Sequence, residues 1–202
     1  MNSIPTSKLR STLDEYLSVR DLDEVVLCVN ELGGTALWRH FVRVAISTSV
    51  DAKQATRLEV SSLFHRLITE RSDDVAAEDM EWAFETVLLD YEDVRVDVPR
   101  LATNFAELWT PLFAKPPCLT LTWLHEVVTH LLATGDAADL LNALLTRMEA
   151  TIGRDELVQW WQKQPKPSED DWLRAFSGLS STSTGVHDRL VPWQQVFGTA
   201  QP

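Results

Sequence analysis

Apolar residues recur at intervals of three and four along nearly the whole chain, and no stretch alternates apolar and polar as a half-buried strand would. Leu22, Val25, Val26, Val29 and Leu32 form one such stripe, opened by Asp21 with Glu24 as a capping box and closed by Gly33-Gly34. From Thr35 to Thr48 the run Leu37, Trp38, Phe41, Val42, Val44, Ala45 and Ile46 leaves few polar sides, which predicts a helix packed between neighbours. Asp51 with Gln54 opens the next, on Val60, Leu63, Phe64, Leu67 and Ile68. After Ser72-Asp73-Asp74 comes a helix on Met80, Ala83, Phe84, Val87, Leu88 and Tyr91.

An acidic connector then runs from Tyr91 to Arg100. Its Asp97 is placed to cap the following helix, and Pro99 falls in that helix's first turn, where a missing N–H costs nothing. Leu101, Phe105, Leu108 and Leu112 make the next stripe, stopped by Lys115-Pro116-Pro117 because proline cannot continue the hydrogen-bond ladder. The second half repeats the scheme on Leu121, Leu124, Val128 and Leu131, then on Leu140, Leu141, Leu144, Leu145 and Met148 behind an Asp136 cap. Gly153 separates these from a helix through Leu157 and Trp161, and Ser168 caps a last one with Trp172, Leu173 and Phe176. Ser180 to Gly185 reads as a loop and the end from Gly198 as frayed. About ten helices with short connectors predict sequential antiparallel hairpins, and periodicity alone leaves a bundle and a solenoid both open.

Thirty acidic against eighteen basic residues give a net charge of -12, which repels phosphate backbones and favours basic protein surfaces, so no direct nucleic-acid binding is expected. The N-terminus has no apolar run and no window approaches a bilayer span, which predicts a soluble, unexported chain without membrane contact. Cys28 and Cys118 are too few and too far apart for a disulfide framework or a zinc spacing, which suits a reducing compartment.

No enzyme motif survives inspection. His125-Glu126-Val-Val-Thr-His130 looks like a zinc-protease helix, but its histidines are one residue too far apart. At about 100° per residue the second ring is turned roughly 140° from the first, so a regular helix cannot bring both to one metal. No phosphate-cradling glycine loop, Gly-x-Ser-x-Gly or Cys-x-x-Cys occurs, and no cofactor is expected. Acid clusters at Asp73-Asp74, Glu78-Asp79 with Glu81, and Glu169-Asp170-Asp171 lie at predicted helix starts, where negative charge suits the dipole. Trp38, Trp82, Trp109 and Trp123 belong to the predicted core. Trp160, Trp161 and Trp172 beside the last acid cluster offer a docking patch for a second, basic protein if the final hairpins leave them uncovered.

Four segments taken in order carry a family resemblance: Asp21 to Leu32, Phe41-Val-Arg-Val-Ala-Ile46, the acidic connector, and Ala106-Glu107-Leu108-Trp109-Thr110-Pro111-Leu112. Together they resemble the MA-3 domain, a HEAT-like helical-repeat module, in the form carried by the translation initiation factor 4 gamma scaffold. The resemblance implies an all-α, HEAT-like solenoid of about five antiparallel helix pairs. Residues 1–115 would be the signature region, 116–197 additional pairs continuing the same solenoid as one cooperative unit, and 198–202 a frayed tail. It also implies a cytoplasmic, non-catalytic domain that binds the DEAD-box RNA helicase initiation factor 4A and so modulates cap-dependent translation. The family's partner-contacting positions fall here on Asp93, Asp97 and Pro99, with Arg100 adjacent. Asp21, Asp23 and Glu24 extend the acidic surface if they share one edge with the connector. The alternative is an MA-3 domain of another scaffold or inhibitor, similar to programmed cell death protein 4 or to a nucleolar or splicing relative, with its own DEAD-box partner. Ala45 stands where the family often has glycine, and Gly33-Gly34 where other members have bulkier residues.

Overall fold

The computed structural model describes residues 4–114, 117–165, 172–177 and 189–198. Among them there are helices and no strand, and no helix is long and apolar enough to cross a membrane. The expected Ser168 cap, the Glu169-Asp170-Asp171 cluster, the Ser180 to Gly185 loop, Lys115-Pro116 and the tail after Gly198 lie outside the described residues. The chain divides into two compact units, one ending at Cys118 and one beginning at Leu119.

In the first unit, α1 (Thr6–Val19) and α2 (Leu22–Gly33) are joined through Arg20, which adopts a left-handed conformation (φ 61°) and returns its N–H to the Tyr16 carbonyl at 2.7 Å. The Asp21 carboxylate accepts the amides of Asp23 and Glu24 at 3.0 and 3.2 Å, so the predicted cap forms. Glu24 does not complete the capping box; its carboxylate accepts the Cys28 thiol instead, at 3.4 Å. A short 3-10 turn, Gly34–Leu37, leads into α3 (Trp38–Ser49), whose inner side chains are almost all buried. Helix α4 (Gln54–Glu70) starts without a side-chain cap, so Asp51 does not play the capping part its spacing suggested. Then come α5 (Ala77–Leu88), a short α6 (Tyr91–Asp97) and α7 (Leu101–Ala114).

Helices α1, α3 and α5 pack in sequence, and α4 packs on α7. The α3–α4 pair stacks on the α5–α7 pair in the same orientation. Arg39 pairs with Asp79 at 3.6 Å near the starts of α3 and α5, and the Asn104 amide near the start of α7 donates to the Val50 carbonyl at 2.8 Å. This repetition of helix pairs is the HEAT-like arrangement. Its centre is aromatic: Phe84 contacts Phe64 and Trp109 at ring separations of 5.9 Å each, and Phe105 lies 5.1 Å from Trp109. Trp38, Trp109 and Trp123 are buried as expected, whereas Trp82 is half-buried and carries the Arg39 guanidinium over its ring.

Across α4 and α7 runs a buried polar seam. Pro111 lies inside α7 and has no N–H to return to the Glu107 carbonyl; the Ser61 hydroxyl of α4 supplies the missing donor at 2.8 Å. The Glu107 side chain pairs at 2.6 Å with Arg57, both nearly sealed from solvent at 3% and 8% exposure. Gln54 donates to the same carboxylate, and a second Arg57 nitrogen donates to the Ala52 carbonyl.

The second unit begins with α8 (Leu121–Val127), capped by the Thr120 hydroxyl, which accepts the Trp123 amide at 3.1 Å. The stripe expected to continue through Leu131 breaks into a 3-10 turn, Thr129–Leu131. Asp136 is the first residue of α9 (Asp136–Ile152) rather than its cap; Gly135 precedes it at φ 82°, and the buried Asp136 carboxylate accepts the Thr134 hydroxyl at 2.6 Å. Gly153, at φ 83°, ends α9 in a conformation that a side chain would disfavour. Helices α10 (Arg154–Lys163), α11 (Trp172–Phe176) and α12 (Val191–Gly198) follow among the described residues. Helix α9 packs on α10 and α11, and α10 on α12.

Candidate functional site

The acidic connector is a helix. Tyr91 is buried 6.0 Å from the Phe105 ring and Val98 is buried behind it, so two apolar ends pin α6 while its middle faces solvent. Asp97 is the last residue of α6 and accepts no amide of α7 among the described residues, which corrects its assignment as a cap. Pro99 sits in the turn ahead of α7, not in its first turn. Helical geometry places Asp93 and Asp97 four residues apart on one face, with Cβ atoms about 5–6 Å from each other. Asp93, Asp97, Pro99 and Arg100 are all exposed. On the same helix Val96 is bare at 79% exposure, and Leu89, at the end of α5, at 67%.

This arrangement works against local stability. Like charges at i and i+4 repel, and Asp97 meets the negative end of the helix dipole, each effect worth a few tenths of a kcal/mol.

The Asp21 group is held elsewhere. Arg20 pairs with Glu59 in the first half of α4 at 2.6 Å, and Asp23 forms an ion pair with Arg71 just beyond the C-terminal end of α4. Helix α6 instead leads into α7, whose Asn104 reaches Val50 ahead of the α4 N-terminus. Among the described residues no hydrogen bond or ion pair joins Asp21, Asp23 or Glu24 to α6, so the seven residues form two groups along the unit.

The tryptophan patch is a correction. Trp161 is buried and stacks on Phe197 at 4.2 Å; Trp172 is buried against Phe176 at 6.2 Å and His125 at 6.1 Å. Trp160 alone is half-buried. The last helices cover these rings because an indole offers more apolar area than any other side chain there. His125 is spent on the same packing, 5.3 Å from the Phe176 ring, and His130 lies on the 3-10 turn rather than on α8. Among the described residues no three His, Cys, Asp or Glu side chains are grouped to hold a metal ion.

His40, Cys118 and Cys28 are displaced from their ordinary pKa values. Burial, then the neighbouring Arg43 and Arg39, lower the His40 pKa from its ordinary 6.5, and its Nδ1 is buried without a partner among the described residues. The unfolded chain therefore takes up the proton first as pH falls through 6.5, so stability drops below that pH until the folded imidazole also titrates. Melting temperature followed downward from neutral pH should show this decline, and His40→Gln should flatten it.

Burial pushes the Cys118 thiol up to about 12, with Glu81 adding to the effect. Cys28 is raised by burial, by its hydrogen bond to Glu24, and by the charges of Glu24, Glu15 and Glu31. Alkylation at mildly alkaline pH, followed by mass spectrometry, should modify Cys28 and spare Cys118. Glu24→Gln should speed the Cys28 reaction, because the thiolate loses an anionic neighbour.

The MA3 domain family model matches residues 6–116, the span that contains α1 to α7 and both acidic groups. The chain belongs to the MA3 domain family. Relatives of this MA3 domain include human eukaryotic translation initiation factor 4 gamma 3, 27% identical over 77% of the chain, and rabbit eukaryotic translation initiation factor 4 gamma 1, 30% identical over 68%. A Dictyostelium discoideum von Willebrand factor A domain-containing protein is 23% identical over 75%. The chain spans about a tenth of the length of the initiation factors it matches (10% of each). Sequence reasoning missed the Arg57–Glu107 seam, although Glu107 among apolar neighbours and Pro111 inside a helical stripe both signalled a buried polar contact.

Proposed function

We propose that this MA3 domain is a non-catalytic, cytoplasmic docking module of a translation initiation scaffold, and that it binds a DEAD-box RNA helicase, initiation factor 4A, through α6 and the turn after it. The observation that carries the reading is the exposed face of α6, where Asp93 and Asp97 stand together beside bare Val96 at a cost to the helix itself. Carboxylates at this spacing on a pinned helix accept bidentate hydrogen bonds from arginine, which gives geometry as well as charge. Val96, on the same helix, supplies apolar area that a purely electrostatic contact would lack.

A pull-down of purified helicase by the isolated domain, at low and high salt, tests the reading. Binding that persists at high salt but is lost when α6 is altered supports it. Failure to retain the helicase at either salt overturns it. Asp73→Asn is the matched control, an exposed carboxylate on a different connector that should change retention little.

A further inference from the structure

Between α1 and α2 lies a cavity of about 230 Å³ whose floor is apolar and whose rim is acidic. Tyr16 and Val25 are buried in the floor, Val19 forms one wall at 66% exposure, and Glu15, Asp21 and Glu24 line the edge. Asp21 caps α2 and Glu24 receives the Cys28 thiol, but Glu15 makes no hydrogen bond or ion pair among the described residues. No lysine or arginine is among the residues that line the groove: Arg20 pairs with Glu59, and Arg66 of α4, which touches Tyr16, is paired with Glu70 at 3.0 Å.

The geometry points to a second docking site here, for an arginine of a basic protein segment followed by an aliphatic residue. An arginine side chain is apolar along its stem and charged at its head, so its stem covers Tyr16 and Val25 while the guanidinium meets Glu15 and Glu24. The aliphatic neighbour covers Val19, which otherwise stands bare. A net charge of -12 on the chain draws such a segment in, and a nucleic-acid strand is repelled by the same carboxylates. The proposal does not depend on the helicase reading of α6, because the two groups share no bond.

The test uses the whole chain and a fluorescent synthetic peptide of alternating arginine and leucine, with binding followed by anisotropy. Glu15→Gln combined with Glu24→Gln should weaken the peptide by about tenfold or more, and Val19→Ser by about threefold, with the Asp21 cap left intact. A peptide with serine in place of leucine should lose affinity for the parent chain but not for the Val19→Ser variant. The same losses should appear in an Asp93→Asn with Asp97→Asn background, which removes the arginine-accepting face of α6. No binding by the parent, equal binding by the groove variants, or loss confined to the α6 variants each overturns the proposal. Failure of the helicase pull-down alone leaves it standing.

Discussion

Glu107→Ala is expected to cost about 3 to 5 kcal/mol of unfolding free energy. The carboxylate is 3% exposed and holds Arg57 at 2.6 Å, so its removal leaves a guanidinium that is itself only 8% exposed without a counter-ion. Gln54 loses an acceptor at the same time. Against a typical total of about 5 to 15 kcal/mol for a domain, such a loss approaches unfolding at body temperature. Urea titration followed by circular dichroism measures it directly. Glu107→Gln should cost less, because an amide oxygen can still accept from Arg57. The double variant Arg57→Met with Glu107→Leu should recover most of the loss, since both desolvated charges disappear together. If Glu107→Ala costs under about 1 kcal/mol, the pair behaves as a solvated surface bridge and the seam is not what orders α4 against α7.

Asp97→Ala is expected to separate binding from stability. In the proposed contact its carboxylate meets an arginine of the helicase in a partly desolvated interface, and removing it leaves that partner unmatched, a loss of about 2 to 5 kcal/mol of binding. Asp93→Ala should act in the same range. Neither should destabilise the fold: both side chains are exposed, and Asp97 sits where a negative charge is unfavourable, so its loss should raise the melting temperature slightly or leave it unchanged. Titration calorimetry with purified helicase, paired with thermal melts, gives both readings. An affinity within about twofold of the parent for both variants would remove α6 from the contact. A large drop in melting temperature would mean that the carboxylates hold the fold as well as the partner.

The helices themselves were legible because their cause is local. Stripes such as Leu22, Val25, Val29 and Val60, Leu63, Phe64, Leu67 follow from the 3.6-residue period, and the buried face of each helix is the one so marked. The Asp21 cap was legible for the same reason, since donor and acceptor lie within three residues. The four segments that resemble the MA-3 domain fall within the matched span, because a family signature is itself a sequence pattern. Helix α6 was not legible. Seven residues offer too few turns for a stripe, and Tyr91 and Val98 are recognisable as anchors only once Phe105 is in place beside them.

What the chain by itself determined is therefore the all-α class, the faces of the long helices and the family, each a consequence of contacts or patterns between near neighbours in sequence. What only the tertiary structure decided is the use of the polar and aromatic side chains. Arg57 and Glu107 are fifty residues apart and read separately as surface charges; stacking of α4 on α7 turns them into a buried pair. Trp161 and Trp172 read as available rings until Phe197 and Phe176 cover them. Asp97 reads as a cap until the chain stays helical through it and leaves its carboxylate facing solvent. The reason is common to all three: whether a charge or an indole is covered depends on which distant helix arrives beside it, and a local period carries no record of that arrival.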